Sequence, residues 1–123
     1  MKRLVLISLA ALAAATGFGA SAQPATKDSC IWTRDLRNHT VGDAHTLYFD
    51  VGGRSVYRVT TSDSCLAGVT SSDPIVLRDR ASTGRLCDKL DWDISVRGAR
   101  CIVSGVSRLT PEEANALPKH VKP

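Results

Sequence analysis

The sequence predicts a mainly β fold: a small curled antiparallel sheet, or a partly open barrel, of five to six strands, with one short C-terminal helix and two disulfides. Three observations support this fold class. Between residues 30 and 109, Val, Ile, Thr and aromatic residues alternate with polar residues in short runs, and clusters of Gly, Asp and Ser separate the runs. All 4 cysteines lie in this part of the chain. The N-terminus has the pattern of an export signal, which predicts an oxidising compartment.

The export signal is predicted over residues 1–22. Lys2 and Arg3 precede an apolar run over residues 4–15, and a small-residue exit (Ala-Ser-Ala) places the cleavage before Gln23. The apolar run of about 12 residues is shorter than the roughly 20 that a spanning helix needs, so we expect cleavage, and no membrane span afterwards. The mature chain is therefore expected in the periplasm or outside the cell.

One domain is predicted behind the signal. Residues 23–29 form a polar, flexible leader, residues 30–117 the β-rich domain, and residues 118–123 a C-terminal tail. Removal of Lys2 and Arg3 lowers the net charge from +4 to about +2. The remaining basic residues are scattered rather than clustered in a stripe, so no nucleic-acid partner is expected.

The even number of cysteines in an exported chain predicts two disulfides. Zinc is disfavoured because no two of the cysteines lie within ten residues of each other, and the short Cys-x-x-Cys knuckle is missing. Of the three pairings, we favour Cys65–Cys87, which would tie down the polar loop over residues 61–74 and contribute roughly 3 kcal/mol. The other pair is then Cys30–Cys101, because the first and last strands become neighbours if the sheet curls closed.

The clearest hairpin spans residues 46–60. A three-residue Gly-Gly-Arg loop places Phe49 opposite Tyr57 and Leu47 opposite Val59, which makes one face wholly apolar. A two-residue Gly-Gly turn would instead set an apolar side chain opposite an arginine. The three-residue loop is therefore preferred, and its glycines supply the positive φ that a bulged loop needs.

A second hairpin is predicted around a two-residue turn that begins at Gly98, as in a type II′ turn. It pairs Val96 with Cys101 and Ile94 with Val103. The last strand is expected to continue to about Leu109 with a bulge or bend at Gly105, and weaker strands are predicted over residues 31–36 and 75–78. The predicted core consists of these side chains: Trp32, Leu47, Phe49, Tyr57, Val59, Leu77, Trp92, Ile94, Val96 and Val103.

A short helix is predicted after Thr110. Thr110 is a suitable N-cap, Pro111 stands at the first helical position, and Glu113 completes a capping box. Pro118 ends the helix after barely two turns.

Three residues in a turn-like stretch over residues 38–45 could bind a metal. His39, Asp43 and His45 supply two imidazoles and a carboxylate, which suit Zn²⁺ or Cu²⁺. Their spacing matches no standard ligand pattern, so solvated loop side chains are the favoured interpretation and no metal or cofactor is expected.

Asp88, Asp91 and Asp93 form a second acidic cluster. Calcium prefers several carboxylates on one loop, but Lys89 interrupts this one, and the Gly and Glu of an EF-hand are missing. We expect these aspartates to be solvated at the start of a strand.

The chain contains no Gly-x-Ser-x-Gly motif, and its cysteines are better explained as bridges than as nucleophiles. The absence of a catalytic motif favours a non-enzymatic interaction or binding module. Arg78, Arg80 and Arg85 lie on the loops near the predicted Cys65–Cys87 bridge and suit an acidic ligand or an envelope protein. The alternative is an envelope enzyme or metal-handling protein that uses the His39, Asp43 and His45 group.

Several short segments of the chain together resemble a family of small secreted proteobacterial proteins of unknown function. The resemblance implies export and a β-rich domain with four cysteines, and it brings no catalytic residues. The segments are Cys30-Ile31, Asp35-Leu36, Val41-Gly42-Asp43, Thr46-Leu47-Tyr48, Val56-Tyr57-Arg58-Val59, Cys65, Arg85-Leu86-Cys87 and Arg100-Cys101.

Overall fold

A computed structural model describes residues 30–123. The predicted export signal and the leader at residues 23–29 lie outside the described residues. Within residues 30–123, no helix is both long and apolar enough to cross a membrane.

The described chain is mainly β, as predicted. It forms nine short strands, one six-residue α-helix and three 3-10 turns. The strands are β1 (Ile31–Trp32), β2 (Leu36–Asp43), β3 (Thr46–Val51), β4 (Ser55–Thr61), β5 (Ile75–Asp79), β6 (Arg85–Leu86), β7 (Trp92–Val96), β8 (Ala99–Cys101) and β9 (Val103–Arg108). The helix is α1 (Pro111–Ala116), and the 3-10 turns cover Thr33–Asp35, Lys89–Asp91 and Lys119–Val121.

The strands form three small antiparallel sheets, where the sequence predicted one curled sheet or a partly open barrel. Their orders are β1-β6, β2-β3-β4-β9 and β5-β7-β8. Only Ile102 separates β8 from β9, so one bent segment joins the two larger sheets. Within the described part of the chain the barrel does not close, because β2 and β5 are both edge strands.

The β3–β4 hairpin has the predicted register. Phe49 lies opposite Tyr57 and Leu47 opposite Val59, and all four side chains are buried. The Gly-Gly-Arg loop begins with Gly52 at φ 65° followed by a second glycine at φ 70°, conformations that a glycine adopts without a Cβ penalty.

The β7–β8 hairpin differs from the prediction by two residues. Val96 pairs with Ala99, and the turn is formed by Arg97 and Gly98 at φ 50° and 80°, which is the type I′ pattern. Arg97 tolerates this conformation because its guanidinium is held by both carboxylate oxygens of Asp73, at 3.0 and 2.9 Å. A shift of two residues keeps every side chain on its face, so the strand still buries the predicted residues.

Two further strand predictions are wrong in detail. Most of the turn-like stretch over residues 38–45 belongs to the edge strand β2, which pairs with β3 through two register shifts. Only Ala44 and His45 form a turn, which joins the two strands. The predicted strand over residues 31–36 is interrupted by the 3-10 turn Thr33–Asp35. Val103 is not part of the second hairpin; it belongs to β9 and pairs with Thr61 of β4. A bulge precedes Gly105 in β9, as expected.

The core contains most of the predicted side chains but not Trp32, which is 40% exposed. Side chains alternate along a strand, and in β1 it is Ile31 that faces the core. Leu77 and Val103 are only partly buried against the core. Core residues that the prediction missed are Ile31, Leu66, Leu86, Leu109 and Val121.

The two disulfides are present, but the predicted pairing is wrong. The bonds are Cys30–Cys87, with an S–S distance of 2.03 Å, and Cys65–Cys101, at 2.07 Å. The first strand pairs with β6 instead of the last strand, with Ile31 opposite Leu86, which sets Cys30 beside Cys87.

The capping box of α1 is confirmed. Thr110 Oγ1 accepts from the Glu113 N–H at 3.2 Å, and Glu113 Oε2 accepts from the Thr110 N–H at 2.8 Å. The predicted tail is ordered: Val121 is buried, and its carbonyl accepts from Thr40 Oγ1 at 2.5 Å. The C-terminal segment therefore packs against the outer face of the four-stranded sheet.

Candidate functional site

An exposed aromatic ring with two arginines stands beside the Cys30–Cys87 bridge. The guanidinium carbon of Arg34 lies 4.6 Å from the centroid of the Trp32 ring, and that of Arg85 lies 5.3 Å from it. Arg85 is also directly opposite Trp32 in the β1–β6 pair. We call these three residues the Trp32 cluster.

The Trp32 cluster is held by several local constraints. The disulfide fixes one end of the β1–β6 pair, and the Thr33 N–H donates to the Gly84 carbonyl at 3.0 Å at the other end. Gly84 adopts φ 73°, a conformation open to glycine, so the chain turns sharply into Arg85. These contacts therefore fix the backbone that carries Trp32 and Arg85 on neighbouring strands.

Asp79 organises the loop that leads into Arg85. Its carboxylate accepts from the Ala81 N–H at 2.9 Å, the Gly84 N–H at 2.6 Å, and both the N–H and the hydroxyl of Thr83. Desolvation alone would raise the pKa of the Asp79 carboxyl, but these hydrogen bonds outweigh it and hold the pKa below its ordinary value.

The three arginines expected to contact a partner are all exposed. Arg78 lies in β5 opposite Asp93, Arg80 follows the strand and its N–H donates to the Asp91 carbonyl at 3.1 Å, and Arg85 belongs to the Trp32 cluster. Among residues 30–123 the ion pairs are Arg97–Asp73 and Arg100–Asp93, so none of these three arginines has a carboxylate partner there.

A cleft of about 260 Å³ opens between the edge strands β2 and β5. Its apolar lining includes Leu36, Phe49 and Leu77, and Arg37 is among its polar lining residues. Thr33 also lines the cleft, and it directly follows Trp32. The cleft therefore adjoins the Trp32 cluster and adds an apolar recess to a cationic surface.

The proposed metal ligands do not come together. His39 Nε2 bonds to the Asp73 carbonyl at 3.1 Å, and His45 Nδ1 bonds to the Asp63 carbonyl at 3.0 Å, so each ring ties a different end of the loop around Cys65. Asp43 accepts from the His45 N–H at 2.8 Å. Over the described residues, no three His, Cys, Asp or Glu side chains are grouped as metal ligands would be.

The three aspartates of the second acidic cluster have structural roles. Asp88 and Asp91 form a capping box on the 3-10 turn Lys89–Asp91, and Asp91 Oδ2 also accepts from the Cys87 N–H at 2.8 Å. Asp93 pairs with Arg100 at 2.9 Å. These aspartates therefore fix the backbone that follows the Cys30–Cys87 bridge.

Of the three residues in the Trp32 cluster, only Arg85 was predicted from the sequence to contact a partner. The sequence predicts Trp32 in the core, whereas the structure leaves it 40% exposed. Alternation allows only one of Ile31 and Trp32 to face the core, and the pairing of β1 with β6 decides that it is Ile31.

No protein-family model, curated protein or solved structure matches this chain.

Proposed function

We propose that this protein is a non-enzymatic binding module of the bacterial envelope, and that the Trp32 cluster is its contact surface for an acidic partner. The observation that carries the proposal is an exposed tryptophan held against two arginines that lack a carboxylate partner among the described residues. Tryptophan and arginine are the residue types that contribute most to binding energy at protein interfaces.

Arginine also explains the kind of partner. A guanidinium group presents a fork of donors that matches a carboxylate, and it can keep its stacking contact with an aromatic ring at the same time. A partner with glutamate or aspartate side chains would therefore complete the cluster. The adjoining cleft could receive an apolar side chain of the same partner.

The rigidity of the cluster supports binding rather than mere solvation. The disulfide, the β1–β6 pair and the Asp79 loop restrain the backbone that carries Trp32 and Arg85. A backbone that is restrained in advance loses less conformational entropy when a partner binds. Arg78 and Arg80 extend the same positive charge along the other end of the Asp79 loop.

Export to the periplasm or beyond is part of the proposal. Two disulfides are typical of proteins from oxidising compartments. The resemblance to small secreted proteobacterial proteins and the predicted signal over residues 1–22 agree with the same compartment.

The proposal is tested by fluorescence anisotropy with a labelled polyglutamate peptide. We expect saturable binding that weakens as salt is added, because ionic contacts at an exposed surface are screened. The double variant Arg34→Ala/Arg85→Ala should raise the dissociation constant at least about tenfold.

A charge-matched control uses Arg54→Ala/Arg108→Ala, because these exposed arginines line a separate depression beside α1. The control should bind polyglutamate like the wild type. Equal weakening by both double variants would mean that only net charge matters and would refute the assigned surface. A further double variant, Arg78→Ala/Arg80→Ala, used in pull-downs from envelope extracts, shows whether the contact extends along the Asp79 loop.

A further inference from the structure

A second surface lies on the outer face of the four-stranded sheet. Strand residues alone line a shallow depression of about 540 Å³, among them Tyr48, Arg58 and Ser107, which follow one another across β3, β4 and β9. This volume lies within the usual range for sites that hold small organic ligands. None of its lining residues belongs to the Trp32 cluster or to the cleft between β2 and β5.

Gly42 gives the depression an aromatic floor. A Cβ atom at Gly42 would lie 2.8 Å from Cε2 of Tyr48, so the tyrosine ring lies over bare backbone of the neighbouring strand. The ring remains partly exposed. Glycine weakens a strand interior and often marks a place where another group approaches closely. Here it lets the ring lie along the sheet and offer an apolar face.

Gly105 has a similar effect on the hydroxyl groups. A Cβ atom at Gly105 would lie 2.9 Å from Thr60 Oγ1. Thr60 Oγ1 donates to the Gly105 carbonyl at 3.4 Å and accepts from Ser104 Oγ at 3.2 Å. The missing side chain at Gly105 therefore leaves room for the Thr60 hydroxyl, and the two hydrogen bonds hold that hydroxyl in the depression.

The charged groups of the depression are balanced. Arg58 is half-buried between Tyr48 and Ser107 and forms no ion pair within residues 30–123. Asp43, at the border, is an exposed acceptor. One guanidinium with five donors and one carboxylate favour a ligand that is uncharged yet rich in hydroxyl groups.

We propose that this depression binds a saccharide. The positively polarised C–H groups of a sugar ring pack against the negative face of the Tyr48 ring. Arg58 donates hydrogen bonds to the sugar oxygens, and Asp43 accepts from its hydroxyls. The acidic partner is expected at the Trp32 cluster, a different surface. The saccharide site and the proposed function can therefore be tested independently.

The test is an NMR titration of the ¹⁵N-labelled protein with three probes: the tetramer of N-acetylglucosamine, cellotetraose and maltotetraose. At least one probe should give saturable shifts of the backbone amide signals of Tyr48, Arg58 and Ser107, while the indole signal of Trp32 stays in place. Tyr48→Ala should weaken binding at least about tenfold, and Tyr48→Phe, which keeps the ring, should leave it within about twofold.

Arg58→Gln gives a second measurement that does not depend on the ring, and it should also weaken binding. The proposal is overturned if none of the three probes produces saturable shifts at millimolar concentrations. It is equally overturned if Tyr48→Ala and Arg58→Gln, with folding verified by circular dichroism, bind a probe as the wild type does. Binding of a single-stranded oligonucleotide at Tyr48, without binding of any saccharide, would assign the surface to nucleic acid instead.

Discussion

Single aspartates shape the loops of this protein. Asp79 accepts hydrogen bonds from the loop before β6, and Asp91 caps the 3-10 turn after the Cys30–Cys87 bridge. Asp73 accepts from Thr70 in its own loop and from Arg97. In the sequence, Asp91 belongs to an acidic cluster with Asp88 and Asp93, and such clusters also suit calcium. What separates the two roles is the position of nearby backbone N–H groups, which residue types alone do not reveal.

The pH dependence of stability should report these carboxylates. Hydrogen bonds from the backbone and hydroxyl of Thr70, with a smaller effect of Arg97, lower the pKa of Asp73, and the loop N–H groups lower that of Asp79. Each folded pKa lies below the unfolded one, so the stabilisation is fully present above the unfolded pKa and is lost as pH falls through the folded pKa. We expect the free energy of unfolding to decrease between about pH 5 and about pH 2.

The matching variant is Asp79→Asn, which cannot ionise. Urea denaturation followed at several pH values should give a shallower acid dependence for this variant than for the wild type. Parallel curves for the two proteins would show that Asp79 ionisation is not linked to folding.

At the scale of elements, local signals predicted one hairpin correctly and missed the other by two residues. The β3–β4 loop contains two glycines, and both the alternation and the loop chemistry favour one register. In the β7–β8 turn the favoured conformation depends on Arg97, whose positive φ is supported by Asp73 from a distant loop. A tertiary ion pair of this kind lies beyond what a turn pattern can predict.

The type I′ turn gives a second prediction. Gly98 adopts φ 80° and has open space where a Cβ would stand, so Gly98→Ala meets no clash and is unfavourable only through the left-handed backbone. We expect Gly98→Ala to lower the free energy of unfolding by about 1 kcal/mol in urea denaturation. Gly98→Asn should cost less, because asparagine tolerates this region better. An alanine variant as stable as the wild type would contradict the turn assignment.

At the scale of the whole molecule, the fold class could be predicted and the strand partners could not. Alternation, an even number of cysteines and the capping box at Thr110 are local features, and the class, the two disulfides and α1 follow from them. The pairing of β1 with β6 joins segments far apart in the sequence. That pairing decides both the disulfide partners and the exposure of Trp32, so these predictions failed together.

The disulfide pairing can be checked by mass spectrometry of a tryptic digest without reduction. Cleavage after Lys and Arg separates the four cysteines into peptides 28–34, 59–78, 86–89 and 101–108. The structure predicts that peptide 28–34 is linked to 86–89 and peptide 59–78 to 101–108. A link between 59–78 and 86–89 would contradict it.

The most direct test of the central claim follows the Trp32 indole itself. The chain has 2 tryptophans, so the ¹⁵N-labelled protein gives two indole N–H signals, and the variant Trp32→Phe assigns them. Trp32 is exposed in the cluster, whereas Trp92 is buried against Phe49 at 5.6 Å between ring centroids. On titration with the polyglutamate peptide, we predict a saturable shift of the Trp32 signal alone, and none with polylysine. A bound peptide that leaves the Trp32 signal unmoved, or a peptide that does not bind, would contradict the assignment of this surface.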